Sequence, residues 1–402
     1  MDMDFTAADL AFRDEVRAFL AAELPQQLRD GMTGTPSVFV EPDIGLEWQR
    51  ILHAKGWLAY HWPEAVGGTG WSPVQRYIFE KECALADAPS LSVLGLRLVG
   101  PVIAEYGTPD QKARFLNRIL TAEDLWCQGY SEPGAGSDLA NLKTRAVRDG
   151  DRYRVTGSKI WTTHAHYADW MFCLARTDPD VKPQAGISFL LLRMKQPGVT
   201  VRPIITMAGD HEVNQVFLDD AEALVCDRIG EEGQGWTIAK FLLENERGGG
   251  SAAPRLIAEV ERLQRLAASQ PDGFGGRLGD DRATVERLAR LKLEAEALEI
   301  TELRILAELA AGRKPGPQTS LVKLVTSTLR QHIDEAAVDL FGQDGLQLAT
   351  ERPLYGNESP EPIGSKAAQM VMPTYLNSRA WTIFGGSNEV QKNIIAKTVL
   401  GL

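Results

Sequence analysis

The hydrophobic pattern of this chain changes character twice along its length, and no other feature constrains the fold as strongly. From Thr6 to Leu24, apolar residues recur at helical spacing behind a candidate N-cap at Thr6. Similar patterns at 43–60, 73–86 and 109–120 predict further helices. We therefore expect the first 122 or so residues to be helical.

Between about 125 and 225, the pattern becomes one of short apolar runs separated by Asp-Gly, Thr-Gly and Pro-Gly pairs. Such runs between turn residues predict the strands of a compact β domain. Beyond that region, long helical patterns return and predict a bundle of four helices, at 236–268, 281–311, 319–341 and 366–400. The Gly-rich segment 269–280 and the Pro-containing segment 350–364 are predicted to be loops between them.

This succession predicts an α+β protein of three domains, in keeping with a length of 402 residues. We expect an N-terminal α-helical domain at 1–122, a middle β-barrel or sandwich domain at 123–228 and a C-terminal four-helix bundle at 229–402.

The charge balance argues against several classes of partner. The formal net charge is −11, and no Lys/Arg cluster is interleaved with aromatic residues, so nucleic acid is an unfavourable ligand. The acidic N-terminus has no apolar signal segment, and no stretch of about 18 apolar residues occurs. We expect a soluble, unexported protein of the cytoplasm that does not enter a membrane.

Cysteine and histidine spacing argues against a metal site. Cys83, Cys127, Cys173 and Cys226 stand more than 40 residues apart, which suits neither a metal clip nor a small disulfide framework. We expect them to be reduced residues of the core. The one close histidine pair, His164-Ala165-His166, would point to different faces of a strand or helix. No metal site is predicted.

Two polar segments of the predicted β domain are suited to bind a flat aromatic cofactor. The run from Tyr130 to Asp138 contains Pro-Gly-Ala-Gly, whose backbone N–H groups are exposed in a tight loop, and two serine hydroxyls. The second segment, Trp161-Thr162-Thr163, places an indole beside two hydroxyls. Together they predict a flavin site and an oxidoreductase. The alternative is an ordinary Gly-rich hairpin beside a core tryptophan.

A third segment begins with Gly385-Gly386-Ser387-Asn388-Glu389 and continues to Ala396. With these three segments, the chain resembles the acyl-CoA dehydrogenases, flavoenzymes of fatty-acid and related catabolism. The resemblance covers essentially the whole chain. The segments 126–133 and 384–393 are similar to the large subunits of pimeloyl-CoA-type dehydrogenases and their steroid-side-chain relatives.

The resemblance implies FAD, bound non-covalently between the β domain and the C-terminal bundle. Ser137 would face both the flavin and the CoA thioester, and an N-cap role for Ser387 is compatible with a flavin contact. The implied cofactor contacts are Gln128, Tyr130, Ser131, Gly136, Ser137, Trp161, Thr162, Thr163, Ser387, Asn388 and Glu389.

Dehydrogenation of a thioester needs a carboxylate base, and here the chain departs from the commonest family pattern. Gly385 stands where many relatives carry the catalytic glutamate, although its N–H can still polarise the thioester carbonyl. A subset of the family places the base on a helix just before an arginine, which matches Glu246. Glu244 is the fallback, and the alternative for Glu246 is a solvated residue paired with a nearby Arg. The resemblance implies substrate contacts at Ser137, Glu244, Asn245, Arg247 and Gly386.

Two loops depart from the family pattern for a cofactor site shared between subunits. The segment 271–275 lacks the expected arginine, and 341–345 is altered as well. Loss of that charge favours a heterotetramer with a smaller homologous subunit, although a homo-oligomer remains possible. The triplet at 248–250 is unusual inside a helix and could bend it or make room for a bulky acyl group.

The leading hypothesis is FAD-dependent α,β-dehydrogenation of an acyl-CoA to a trans-2-enoyl-CoA, with electrons passed to an electron-transfer flavoprotein. The alternatives are an oxygen-using acyl-CoA oxidase or flavin monooxygenase, and a non-catalytic scaffold subunit. Dicarboxylyl, medium-chain and steroid-side-chain thioesters all remain candidate substrates.

Overall fold

A computed structural model describes residues 5–37, 39–248, 251–313, 316–348 and 365–402, without the side chains of 244–248 and 366. Helices come first along the chain, then one β-sheet, then helices again. The α+β fold class is therefore confirmed, with a helical N-terminal part, a β middle part and a C-terminal helical bundle.

The N-terminal helices begin where the sequence provides side-chain caps. Thr6, Ser72 and Thr108 each form a capping box that satisfies the first N–H groups of the helix that follows. The sequence did not predict two short helices, Gln26–Thr33 and Gly100–Tyr106, or a π-helical turn, Leu94–Val99, because none of them is long enough to show a clear period. The α-helices are α1 Ala7–Glu23, α2 Gln26–Thr33, α3 Pro42–Lys55, α4 Pro73–Leu85, α5 Gly100–Tyr106 and α6 Pro109–Leu120.

The middle part is a mostly antiparallel sheet of eight strands among the described residues, in the order β6-β7-β3-β2-β4-β5-β8, with β1 parallel to β4. Alternate residues of β4 and β5 enter two different hydrophobic cores, so these central strands are covered on both faces. The strands are β1 Trp126–Gly129, β2 Arg145–Asp149, β3 Arg152–Thr163, β4 Trp170–Arg176, β5 Ile187–Arg193, β6 Val199–Ile205, β7 His211–Leu224 and β8 Arg228–Ile229.

The C-terminal helices divide between two cores. The first of them, α7, packs on β5 and the π-helical turn through Ile238, Ala239 and Leu242, and so belongs to the largest core. The next three surround a core of their own, beside which α11 and α12 pack on α10. The helices are α7 Gly235–Gly248, α8 Ala253–Ser269, α9 Arg282–Ala310, α10 Gln318–Phe341, α11 Lys366–Ser378 and α12 Asn388–Ile395.

Two predicted helices are each divided in the structure. The expected helix at 236–268 is divided into α7, which ends at Gly248, and α8, because glycine favours the end of a helix. The expected helix at 366–400 is interrupted at Gly385 and Gly386, whose φ angles of 64° and 83° cannot continue a right-handed helix. The predicted loop at 350–364 lies outside the described residues.

All four cysteines have free thiols, but they do not all belong to the core. Cys127 and Cys173 are buried and Cys83 is intermediate, whereas Cys226 is exposed. The expectation of a core position is wrong for Cys226, because it lies in a short turn that follows β7. The described part of the chain contains no helix long and apolar enough to cross a membrane. No cluster of three potential metal ligands is found among the described residues.

Candidate functional site

A large cleft with a volume of about 2330 Å³ lies where the three parts of the chain meet. Its walls include Tyr60 of the N-terminal part, Gln128 of the sheet and Gly385 of the C-terminal part. A concave site between domains is the usual place for a cofactor and a substrate.

A buried ion pair holds the Gly-rich segment in place on one wall of this cleft. Lys159 Nζ lies 2.8 Å from Glu132 Oε1 and donates to the carbonyl oxygen of Tyr130 at 3.2 Å. Glu132 also accepts the N–H groups of Lys143 and Thr144 at 2.6 and 2.9 Å. Burial opposes ionisation of Glu132, but the charge of Lys159 and these hydrogen bonds outweigh it and lower its pKa. The loop is therefore tied to β3 at its base.

The sequence reasoning assigned Lys159 no role. Its signal is a lysine at an inward position of a strand, because Tyr153, Val155 and Lys159 are all fully buried along β3. A lysine is buried in this way only when its charge is paired.

Trp161 lines the cleft from a β-bulge near the end of β3. The pairing of β3 with β7 shifts register between Lys159 and Thr162, and Trp161 has a φ of 59°. Its side chain is 60% exposed, an unusual state for so large an aromatic residue. A bulge re-aims a side chain, and a left-handed tryptophan costs about 1–3 kcal/mol that the surrounding structure must offset. This geometry leaves the indole face available to a planar ligand.

Four polar side chains predicted to contact the flavin line the cleft without a hydrogen bond to another described residue. They are Gln128, Ser131, Ser137 and Thr163. Gly136 lines the same wall, and a Cβ atom there would meet no atom within 4 Å. Such a set of unused donors and acceptors suits a polar ligand.

Two more of the predicted flavin contacts in the β domain, Tyr130 and Thr162, are buried. Tyr130 lines the cleft at 5% exposure and packs edge-on against Phe172 and Phe189. Thr162 is also buried and does not line the cleft, because adjacent residues of a strand point to opposite faces. Its carbonyl accepts a hydrogen bond of 3.0 Å from Asn214 Nδ2.

The C-terminal turn provides the opposite wall. Gly385, Gly386 and Ser387 line the cleft, and Ser387 caps α12 by accepting the N–H of Val390 at 3.4 Å. Gly386 has a φ of 83°, and a Cβ atom there would lie 2.4 Å from Gln391 Nε2, so a side chain at this position would be strained and would displace Gln391.

Two predicted cofactor contacts next to this turn do not line the cleft. Asn388 is buried against α10, where Ser327 Oγ donates to its side-chain oxygen at 2.9 Å. Glu389 is exposed at the start of α12. A cofactor-binding role for these two residues would therefore depend on helix α12 and not on direct contact from a wall of the cleft.

The segment that carries the predicted base continues a cleft-lining helix. Trp236, Lys240 and Leu243 of α7 line the cleft at helical spacing. The backbone of the next turn is helical as far as residue 248. The side chains of Glu244, Asn245, Glu246 and Arg247 lie outside the described part, so their catalytic and substrate-binding roles stay predictions.

A polar cluster that the sequence reasoning missed lies elsewhere along the cleft. It consists of Tyr60, His61, Glu80 and Arg97, all of which line the cleft, and we call it the Arg97 cluster. Glu80 Oε1 lies 3.2 Å from His61 Nε2 and 3.3 Å from the Tyr60 hydroxyl. The available signal was an arginine inside the apolar run Leu94–Val99.

The ionisation of this cluster follows from its burial. Burial, and then the charge of Arg97, lower the pKa of His61, so its ring is neutral at pH 7. Burial opposes ionisation of Glu80, yet the hydrogen bond from His61 and the charge of Arg97 contribute to lowering its pKa. Burial raises the pKa of Tyr60 well above its usual range, which keeps its hydroxyl protonated.

Comparison with known families shows the family to which the chain belongs. The models of the acyl-CoA dehydrogenase N-terminal, middle and C-terminal domains match residues 6–123, 127–221 and 233–400. The chain belongs to the acyl-CoA dehydrogenase family. It is therefore an acyl-CoA dehydrogenase, an oxidoreductase from a family of flavoproteins, as the sequence motifs predicted.

Individual relatives match over almost their full length. The acyl-CoA dehydrogenase IpdE1 of Mycobacterium tuberculosis is 38% identical over 396 residues, with 97% of each chain covered. The structure of the ChsE4-ChsE5 complex from Mycobacterium tuberculosis aligns with a TM-score of 0.81 at 30% identity, covering 100% of this acyl-CoA dehydrogenase and 99% of that chain. The structure described as the Tcur3481-Tcur3483 steroid ACAD aligns with a TM-score of 0.83 at 29% identity, again covering 100% and 99%.

Proposed function

We propose that this acyl-CoA dehydrogenase binds FAD in the cleft and converts an acyl-CoA thioester to a trans-2-enoyl-CoA, with electrons passed to an electron-transfer flavoprotein. One observation carries the proposal. Segments around Gln128–Ser137 and Trp161–Thr163 line one cleft together with Gly385–Ser387, which lies more than 200 residues further along the chain.

The residues present fit a flavin. Trp161 offers an exposed aromatic face, while Gln128, Ser131 and Thr163 offer polar atoms that no other described residue uses. When bound, FAD would supply the acceptor for the hydride that leaves the β-carbon. The protein's own part is to hold the thioester against that acceptor and to exclude water.

We assign the proton transfer to Glu246. A carboxylate one helical turn beyond Leu243 would take the α-proton of the thioester, and contact with an apolar acyl chain would raise its pKa toward neutrality. Gly385 lines the cleft, and its backbone N–H makes no hydrogen bond to another described residue. It would donate to the thioester oxygen as negative charge develops there.

We propose further that the working enzyme is a heterotetramer with a smaller homologous subunit. The loop at 271–275 lacks the arginine expected for a cofactor site shared between identical subunits. Two structural neighbours carry the names of two polypeptides each, and one of them is called a complex. A second polypeptide would then complete the cofactor site.

An anaerobic titration with acyl-CoA thioesters tests this function. The purified yellow protein, alone and co-expressed with the smaller subunit, should bleach at the flavin absorbance maximum as enoyl-CoA forms. Glu246→Gln should retain flavin and lower the bleaching rate by about 10²–10⁴-fold, as loss of a general base does. Glu244→Gln is the matched control on the same helix and should reduce the rate far less.

Each alternative predicts a different outcome. An unchanged rate in Glu246→Gln would contradict the assigned base and would favour a scaffold role in which another chain supplies the site. Stoichiometric oxygen consumption with an acyl-CoA would identify an oxidase instead. Protein that never retains flavin, even with the co-expressed subunit, would overturn the proposal as a whole.

A further inference from the structure

The Arg97 cluster lies in the same cleft as the proposed reaction site. The π-helical turn that carries Arg97 packs against α7, the helix of the proposed base. Trp62 Nε1 also donates to the carbonyl oxygen of Leu96 at 2.6 Å, which fixes the turn against the segment of Tyr60 and His61. Glu80 Oε2 accepts the N–H of Ser251, just beyond α7, at 2.8 Å. The cluster therefore lies beside the end of α7.

The segment Leu94–Val99 forms a π-helical turn, which is an unusual backbone conformation. Leu94, Leu96, Arg97 and Leu98 all line the cleft, but the three leucines are buried whereas Arg97 is partly exposed. Single π-helical turns are rare and often occur at functional sites. This one places a cation, Arg97, at the cleft.

Arg97 retains donors that the protein does not use. Its guanidinium makes no hydrogen bond, and no ion pair within 4.0 Å, to any residue in the described ranges. Lys240 and Arg265 also line the cleft but are exposed, whereas Arg97 is only partly exposed. A guanidinium removed from much of its water interacts more strongly with a ligand than an exposed one does.

The other members of the cluster accept no hydrogen bond from the guanidinium of Arg97. Both oxygens of Glu80 already accept hydrogen bonds, from His61, Tyr60 and Ser251. His61 is neutral and Tyr60 is protonated at pH 7, so neither adds negative charge. The donors of Arg97 are therefore available to an oxygen acceptor in the cleft.

We propose that Arg97 selects acyl groups that carry an oxygen acceptor, a carboxylate or a ketone, at the end far from the thioester. A purely aliphatic chain would leave the guanidinium desolvated without a partner, which is unfavourable. This inference rests on the proposed dehydrogenase function and narrows its substrate class.

The test compares three thioesters of one chain length: heptanoyl-CoA, 6-oxoheptanoyl-CoA and pimeloyl-CoA. The flavin-loaded enzyme, with its smaller subunit, should turn over at least one of the oxygenated thioesters with a kcat/KM about 10-fold or more above that of heptanoyl-CoA. Whether the keto or the carboxylate thioester is preferred identifies the acceptor.

Arg97→Met should remove this preference by lowering kcat/KM for the preferred thioester by about 10- to 100-fold, the range for a lost charge-assisted hydrogen bond. The effect should appear in KM, because the contact is remote from the reacting carbons. Arg97→Lys should restore part of it. The control Arg76→Met removes a nearby cation that does not line the cleft and should leave the preference intact.

Failure of this inference can be told apart from failure of the proposed function. Bleaching by all three thioesters with no preference in the unaltered enzyme would overturn only the role of Arg97. Equal losses for all three in Arg97→Met would also overturn it and would place Arg97 at the CoA moiety or in the fold. Absence of bleaching with every thioester would overturn both proposals.

Discussion

At the scale of the residue, the pairing of Glu132 with Lys159 shows how one buried side chain holds the loop from Tyr130 to Asp138 against strand β3. The lysine side chain is 0% exposed and the carboxylate 7%. Their ion pair also receives the N–H groups of Lys143 and Thr144 and donates to the carbonyls of Tyr130 and Leu174. Every polar group of the pair thus has a partner, which is the condition for burying it.

Removing one partner should therefore be costly. Lys159→Met would leave the Glu132 carboxylate buried without its counter-ion, and we expect a loss of about 3–5 kcal/mol in unfolding free energy. The measurement is urea denaturation at pH 7, followed together with flavin content.

The control is Lys195→Met, which breaks the 2.9 Å pair with Asp169 where the lysine is 79% exposed. An exposed pair contributes at most about 1 kcal/mol, so this variant should unfold close to the parent protein. Similar losses in the two variants would show that Lys159 does not act through burial.

At the scale of the element, the start of α8 depends on a glutamate side chain from another helix. Glu302 of α9 accepts the N–H of Ala252 at 2.9 Å and that of Ala253 at 3.3 Å. These N–H groups have no acceptor within their own helix, so a distant side chain acts as the cap. Burial raises the pKa of Glu302 to about 8, although both hydrogen bonds oppose the shift.

This pKa predicts a pH dependence with a definite sign. The usual pKa of a glutamate side chain is 4.5, and that of folded Glu302 is about 8. Between these two pH values, Glu302 loses its proton in the unfolded chain but keeps it in the folded protein. The contribution of Glu302 to stability therefore falls as pH rises through this window.

Glu302→Gln should remove this dependence while keeping an oxygen that accepts the two N–H groups. We expect its melting temperature to exceed that of the parent by a few degrees at pH 8.5 and to match or fall below it at pH 5. Glu294→Gln, an exposed position on the same helix, is the control and should show no such trend. A difference that is the same at both pH values would contradict the shifted pKa.

At the scale of the whole molecule, the chain leaves large apolar side chains exposed around its C-terminal part. Phe274 is 96% exposed in the loop between α8 and α9, Ile383 is 70% exposed beside the cleft, and Leu402 is 84% exposed at the end of the chain. The first of these lies in the loop whose altered sequence favoured a heteromeric assembly. We expect the smaller homologous subunit to cover it.

Phe274→Ser should therefore weaken that association. Loss of an aromatic anchor typically costs about 2 kcal/mol or more at an interface, so the dissociation constant should rise by about 30-fold or more. Analytical ultracentrifugation of the co-expressed pair provides the measurement. Val147→Ser, a 58% exposed position on β2 of the middle sheet, is the control. Unchanged assembly in Phe274→Ser would place the interface elsewhere.

The sequence alone determined the succession of helices, strands and helices, and the family motifs identified the fold, because capping residues, turn residues and hydrophobic period are local signals. The same motifs predicted the residues around Gln128 and Gly385 as parts of one site. The tertiary structure decided which of them line the cleft, since Thr162 and Asn388 lie beside cleft residues yet face other partners. Only the tertiary structure showed the Lys159 pair and the Arg97 cluster, because these depend on contacts between residues far apart in the chain, which no local pattern contains.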